Sequence, residues 1–104
     1  MVHAEIVRQP IEPDAVLKRV GCDKDGAVLL FLGVVRDHAD GRSVTGMWYD
    51  AYEEMAGDVV RAIASEAAGR FGTEGIAITH RIGELRVGEV SVAIAVSTPH
   101  RAEA

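Results

Sequence analysis

The stretch from Gly26 to His38 (GAVLLFLGVVRDH) constrains the fold of this chain more than any other part of its sequence. Its residues from Ala27 to Val35 are apolar apart from one glycine, and three charged or polar residues follow at once. An apolar run without alternation is typical of a strand that is covered on both faces. We therefore predict a central, buried strand that delivers Arg36 and His38 to the rim of a sheet. The alternative is that these residues only mark where the chain leaves the sheet.

The remaining patterns predict one α+β domain with a mixed or antiparallel sheet. A proline suits the first turn of a short N-terminal helix, and acidic residues crowd the first turns of a long helix, where the helix dipole favours them. The predicted elements are, in order, strand Val2–Arg8, helix Pro13–Val20, strand Gly26–Val35, strand Val44–Tyr52, helix Glu53–Phe71, strand Gly75–Ile82 and strand Glu89–Thr98.

Two of these elements have faces that predict how they pack. The long helix carries an apolar stripe at helical spacing, which we expect to face the sheet: Ala56, Val59, Val60, Ile63, Ala67 and Phe71. The last strand carries a face of small residues, which lets a helix or a partner subunit come close: Ser91, Ala93, Ala95 and Ser97. His80 falls on the apolar face of its strand, so we interpret it as a hydrogen-bonded structural histidine.

Charge and cysteine content argue against several classes of function. The formal net charge of −5 disfavours generic binding to nucleic acid or to anionic membranes. Cys22 is the single cysteine, so no internal disulfide forms and no cysteine pair has metal-ligand spacing, which favours a cytoplasmic setting. No apolar segment has the pattern of a signal peptide or the length of a membrane span. Of the 11 basic residues, all but Lys18 and Lys24 are arginines, which suit bidentate recognition of phosphate or carboxylate.

Two clusters of similar composition follow strand ends. One strand leads into Arg36, Asp37 and His38, and the last strand leads into His100 and Arg101. Arginines with histidines at strand ends would suit an anionic ligand, so the clusters form either a shared anion site or separate solvated strand ends. The aromatic residues of the fourth predicted element would either stack on a flat ring or pack in the core: Trp48, Tyr49 and Tyr52.

Four blocks carry a resemblance to a known family. They are GAVLLFLGVVRDH at Gly26–His38, YDAYEEMA at Tyr49–Ala56, HRIGELRVGE at His80–Glu89 and VAIAVSTPHRAEA at Val92–Ala104. In order and spacing they resemble the large, catalytic subunit of molybdopterin synthase, the MoaE-like family. The HR-x-G-x-L-x-x-G-E block is the most specific of the four.

The resemblance implies an α/β-hammerhead type of fold and a homodimer. It further implies a heterotetramer with a small ubiquitin-like sulfur carrier, whose C-terminal Gly-Gly thiocarboxylate tail enters a pocket of the large subunit. Two sulfur atoms would then pass to cyclic pyranopterin monophosphate, which forms the dithiolene of molybdopterin. The protein would need no metal and no cofactor for this step.

The same resemblance implies a set of site residues. The substrate-binding segment falls on Val34, Val35 and Arg36. A pair that is donated across the dimer, and that both binds substrate and acts in catalysis, falls on His100 and Arg101. The residue types agree with these roles, because arginine holds phosphate and histidine can transfer a proton near neutral pH. The role of His38 is left open.

The sequence departs from the family pattern at its C-terminal end. Family members continue past the His-Arg pair into a lysine-bearing helix and a Pro-x-Trp-Lys segment, whereas Lys18 and Lys24 are the only lysines here. We therefore expect residues 1–104 to be catalytically incomplete, less stable than a longer form and prone to associate. The alternative function is a dimerisation and carrier-binding module without catalysis.

Overall fold

The computed structural model describes residues 2–39, 42–43, 46–49, 53–102 and 104, with side chains at 2–37, 57–102 and 104. The elements in chain order are β1 Val2–Val7, α1 Pro13–Leu17, β2 Ala27–Val34, β3 His38–Ala39, β4 Arg42–Ser43, β5 Gly46–Tyr49, α2 Glu53–Phe71, β6 Gly75–Arg81, β7 Gly83–Arg86 and β8 Val90–Thr98. A tight hairpin turn, which the Asp40-Gly41 pair would favour, and the stacking role of the aromatic residues fall outside what is described.

Four strands form the main sheet in the order β1-β6-β8-β2. Strands β1 and β6 are parallel, while β6 with β8 and β8 with β2 are antiparallel, so the sheet is mixed. Two further antiparallel pairs, β3 with β4 and β5 with β7, lie outside this sheet. The prediction of an α+β fold with a mixed sheet, one short helix and one long helix is confirmed.

Strand β2 lies at an edge of the main sheet, so the prediction of a central strand covered on both faces is wrong. Its side chains are exposed on both faces, with Phe31 at 59% and Val28 at 52%. The apolar run indicates that the surface of the strand favours burial. It does not indicate that other residues among those described cover this surface.

The small-residue face of β8 is buried, as predicted, and α1 packs against it. Ala93 and Ala95 are completely buried there together with Ala77 of β6. Ile11 and Val16 complete this part of the core from the α1 side. Small side chains on the sheet let the short helix approach closely, which is why five helical residues suffice to cover it.

The long helix begins and ends where the sequence predicts, but it is rotated relative to the predicted apolar stripe. It packs on β1 and β6 through a face that includes Gly57 and Ala64. Val59 and Ile63 of the predicted stripe are more than half exposed. The helix therefore buries Gly57 and Ala64, together with the half-buried Val60 and Ala67 of the stripe, because small residues permit close packing. No helix among the described residues is long and apolar enough to cross a membrane.

Candidate functional site

The first predicted site segment leaves the sheet at the C-terminal end of β2. The pairing with β8 shifts register between Gly33 and Val34, which is the signature of a bulge. Val35 is then buried, with 3% exposure, and both its backbone groups are hydrogen-bonded to the β7–β8 turn. Arg36 follows directly and is exposed. A fixed backbone therefore presents a solvent-accessible guanidinium, the arrangement that anion binding requires.

The second predicted segment leaves the sheet at the C-terminal end of β8. Thr98 is completely buried, and its Oγ1 donates a hydrogen bond of 2.6 Å to the backbone oxygen of His100. The backbone N–H of Gly26 donates to the Thr98 carbonyl at 3.0 Å. Glycine is required at position 26, because a Cβ there would lie 2.7 Å from the Pro99 carbonyl oxygen. His100 and Arg101 themselves are exposed in the turn that follows.

These two segments lie at opposite ends of one strand pair. Strands β2 and β8 are antiparallel, with Ala27 opposite Thr98 and Val34 opposite Val90. Seven residue steps at about 3.4 Å separate the two ends by roughly 24 Å. A shared anion site within a single copy of the chain is therefore excluded. Arg36 can meet His100 only if the two residues come from different copies.

A third group of charged residues surrounds Glu89. Arg81 Nη1 lies 2.8 Å from Glu89 Oε2, and the backbone N–H of Arg86 donates to Oε1 at 2.7 Å. The Arg81 guanidinium, followed by the Arg86 backbone N–H, holds the pKa of the Glu89 carboxyl below its ordinary value. With Glu84 these residues line an open cleft of about 330 Å³.

The HR-x-G-x-L-x-x-G-E block contained the signal for this group. Its arginine and its last glutamate are Arg81 and Glu89, the two partners of the ion pair. Its two glycines, Gly83 and Gly88, both have positive φ, at 101° and 89°, where other residues are strained. The motif is thus a turn that is closed by the ion pair between Arg81 and Glu89.

His80 and His38 are two further histidines of the described chain, and they lie in different surroundings. His80 is half-buried and its Nδ1 lies 3.0 Å from the Arg81 carbonyl oxygen, as expected for a structural histidine. His38 begins β3, where the backbone alone is described. Within the described part of the chain, no three His, Cys, Asp or Glu residues are grouped to hold a metal ion.

The mixed sheet and its two flanking helices define an α+β domain that presents arginines at strand ends. Comparison with known proteins then assigns the class more narrowly. Residues 6–104 match the family described as MoaE protein, and the chain belongs to this family.

Relatives with known roles agree with this assignment. The chain is 40% identical over 103 residues to the molybdopterin synthase catalytic subunit of Emericella nidulans, covering 99% of the chain and 53% of that protein. It is also 40% identical over 101 residues to the catalytic subunit of Bacillus subtilis, covering 97% of the chain and 64% of that protein. The chain therefore spans between half and two thirds of the length of these relatives.

A solved structure supports the fold directly. The crystal structure of molybdopterin synthase from Staphylococcus aureus superposes with a TM-score of 0.90 at 34% identity. The match covers 99% of this chain and 75% of that one.

Proposed function

We propose that this chain forms the core of a molybdopterin synthase catalytic subunit. It would transfer sulfur from a thiocarboxylated carrier to cyclic pyranopterin monophosphate in the synthesis of the molybdenum cofactor. The observation that carries the proposal is the match of residues 6–104 to the MoaE family, together with 40% identity to two catalytic subunits. The exposed Arg36 on a rigid strand end supplies a group that this chemistry needs.

Arg36 binds the phosphate of the pyranopterin in this proposal. A guanidinium can form two parallel hydrogen bonds to a phosphate, which fixes the orientation of the ligand as well as its position. Val34 and Val35 form the adjoining wall, since Val34 is half exposed at the bulge and Val35 is held beneath it. Orientation of the ring toward the sulfur donor is then a consequence of how this strand end is held.

His100 and Arg101 complete the site from a second copy of the chain. The separation of roughly 24 Å within one copy, estimated from the strand rise, supports a two-copy site. The exposed apolar edge of β2, including Phe31 and Val28, supports burial against another molecule. A homodimer that brings opposite ends of β2 and β8 together would add the histidine, which can transfer a proton, to the phosphate-binding arginine.

The remaining partner is a small ubiquitin-like carrier with a C-terminal Gly-Gly thiocarboxylate, which gives a heterotetramer with the dimer. The relatives are named as subunits, which supports an enzyme of more than one kind of chain. We also propose a cytoplasmic setting. Cys22 is exposed and unpaired in the structure, a state that a reducing compartment preserves.

A second function applies to residues 1–104 taken by themselves. Lys18 and Lys24 are both exposed beside α1, on the segment that connects to the start of β2. The lysines that the family pattern places after the His100 turn belong to a segment outside residues 1–104. Residues 1–104 would then be a dimerisation and carrier-binding module that does not itself catalyse sulfur transfer.

Reconstitution distinguishes the two functions. The 104-residue chain and its full gene product are each mixed with thiocarboxylated carrier and cyclic pyranopterin monophosphate, and molybdopterin is measured. We expect no turnover by residues 1–104 and turnover by a gene product that supplies the lysine-bearing segment. A full gene product that binds the carrier but makes no molybdopterin would contradict the enzymatic function.

A further inference from the structure

Glu89, the residue that precedes β8, uses both of its carboxylate oxygens. Oε2 pairs with Arg81 Nη1 at 2.8 Å, and Oε1 accepts the Arg86 backbone N–H at 2.7 Å. Arg81 ends β6, and its side chain is only 11% exposed, so water contributes little to stabilising its charge. One carboxylate therefore compensates a nearly buried cation and closes the turn after β7.

The backbone of the same turn holds Val35 from two directions. The Val35 N–H donates to the Glu89 carbonyl at 3.0 Å, and the Gly88 N–H donates to the Val35 carbonyl at 2.8 Å. The turn is itself closed by the Glu89 N–H, which donates to the Arg86 carbonyl at 3.0 Å. The direction in which the chain leaves Val35 is thus set by the place of Glu89.

We infer that Glu89 is a positioning residue for Arg36, acting through its ion pair with Arg81 and its backbone contact with Val35. The contacts run without a gap from the end of β6 through Arg81 and Glu89 to Val35, and Arg36 is the next residue. Strand β6 lies in the interior of the main sheet, so the rigid part of the fold fixes the backbone that leads into Arg36. The inference rests on the proposed function only in taking Arg36 as the residue that meets the anionic substrate.

The ion pair is better explained by positioning than by stability. Pairing a nearly buried arginine with a carboxylate that is 33% exposed gains little net free energy, because desolvation offsets the attraction. Arg81 Nε is also buried without a hydrogen-bond partner, so the arrangement is not optimised as a stabilising network. What the pair does achieve is a unique geometry for the turn that holds Val35.

Amide hydrogen exchange tests the structural half of this inference without any activity. We expect Glu89→Ala to increase exchange at the Val35 and Gly88 amides at least tenfold, while amides in the centre of β6 keep their protection. Glu89→Gln retains an acceptor for the Arg86 N–H but loses the charge, so its increase is smaller. Asp58→Ala is the control, since it removes the exposed Asp58–Arg61 ion pair on α2. Unchanged exchange at Val35 in Glu89→Ala, in a protein that remains folded, overturns the inference.

Kinetics of the reconstituted synthase test the functional half. We expect Glu89→Ala to raise KM for cyclic pyranopterin monophosphate about tenfold and to change kcat less than twofold, because a displaced Arg36 weakens ground-state and transition-state binding alike. Adding Glu89→Ala to an Arg36→Ala variant then raises KM no further, because the residue acts through Arg36. A purely structural role would instead lower activity equally in both backgrounds, and that result overturns the inference.

If the proposed function is wrong, the kinetic measurements give a different result from the one expected above. If Arg36→Ala itself leaves KM unchanged, Arg36 does not bind the substrate and the functional assignment is wrong. The exchange measurement still decides whether Glu89 holds Val35, so the two failures are separable.

Discussion

Arg36 and His100 follow opposite ends of the β2–β8 pair, and one copy of the chain holds these two ends about 24 Å apart along the strands. In the proposed two-copy site, each active centre takes Arg36 from one copy and His100 from the other. The separation has a direct consequence for mixed dimers.

Two inactive variants are therefore expected to restore activity when they are combined. In a mixed dimer of Arg36→Ala and His100→Ala chains, one centre carries both substitutions and the other carries neither. If chains exchange at random, about a quarter of the centres are intact, and we expect molybdopterin formation to recover to that level. Recovery is measured after mixing the full gene products and allowing subunit exchange. Activity that stays at the level of the separate variants would exclude a site shared between copies.

Removal of the Arg36 guanidinium is expected to weaken binding of the pyranopterin substrate. Hydrogen bonds to a charged group contribute about 1.5–3 kcal/mol, so Arg36→Ala should raise Kd or KM by roughly 10- to 150-fold. Titration of the full gene product with substrate measures the change. Arg61→Ala serves as the control, since Arg61 is an exposed arginine on α2 that pairs with Asp58. Equal effects of the two substitutions would argue against a specific phosphate contact.

Acid should release the turn that holds Val35. The pKa of Glu89 is lowered from its ordinary value near 4.5, chiefly by the Arg81 side chain and next by the Arg86 N–H. The unfolded chain thus binds a proton at higher pH than the folded chain does. The contribution of Glu89 to the free energy of unfolding is complete above that ordinary value and is lost as the pH falls through the folded pKa.

Urea unfolding at a series of pH values between about 6 and 3 checks this prediction. We expect the free energy of unfolding to fall less steeply for Glu89→Gln than for the natural sequence, because the amide does not titrate. Asp58→Asn is the matched control and should retain the natural slope. Parallel curves for Glu89→Gln and the natural sequence would show that the carboxylate contributes nothing in this range.

Two glycines should respond to alanine in opposite directions. A Cβ at Gly75 would overlap Ser97 Oγ, which accepts the Gly21 N–H inside the fully buried end of β8. Gly75→Ala is therefore expected to destabilise the fold by about 1–3 kcal/mol. Gly69 lies in α2 with open space around its Cβ position, and Gly69→Ala should stabilise by about 0.5–1 kcal/mol. Thermal unfolding of both variants measures the contrast, and destabilisation by Gly69→Ala would contradict it.

The exposed edge of β2 predicts self-association of the 104-residue chain. Phe31 and Leu29 are more than half exposed on one face of the strand. Phe31→Asp should shift the chain toward monomer in sedimentation experiments at micromolar concentration, because a charge opposes burial of the apolar surface. Ser65→Asp adds the same charge on the exposed side of α2 and should leave the association unchanged. Association that survives Phe31→Asp would place the contact elsewhere.

The sequence predicts the elements well because local signals define them. Acidic residues mark the start of α2, and a glycine follows its end. The alternation of β8 assigns its small residues to one buried face. The position of β2 in the sheet could not be predicted, since an apolar run is equally consistent with a central strand and with an edge that another molecule covers. The rotation of α2 escaped prediction because the branched side chains of Val59 and Ile63 give a stronger hydrophobic signal than Gly57 and Ala64, which are the residues that are buried.

The candidate site residues and their origin in two copies of the chain stay predictions, whereas their places in the sheet come from the structure. Arg36 and His100 stand out as polar groups after apolar strands, yet only the antiparallel pairing reveals that they lie at opposite ends. Glu89 was missed because its function depends on Arg81, eight residues earlier, across a turn. Such a contact has no periodic pattern, and only the glycine spacing between the two residues hints at it.

The pairing of the main sheet also determines the order in which the chain can fold. Val2 of β1 pairs with Ile76, and Ala27 of β2 pairs with Thr98, so both outer strands of this sheet find their neighbours far away in sequence. Non-local pairing of this kind slows folding, because loop closure precedes the gain in contact energy. During synthesis the apolar β2 must wait for β8, which is made after β6. This interval is when the nascent chain is most exposed to aggregation and has most need of a chaperone.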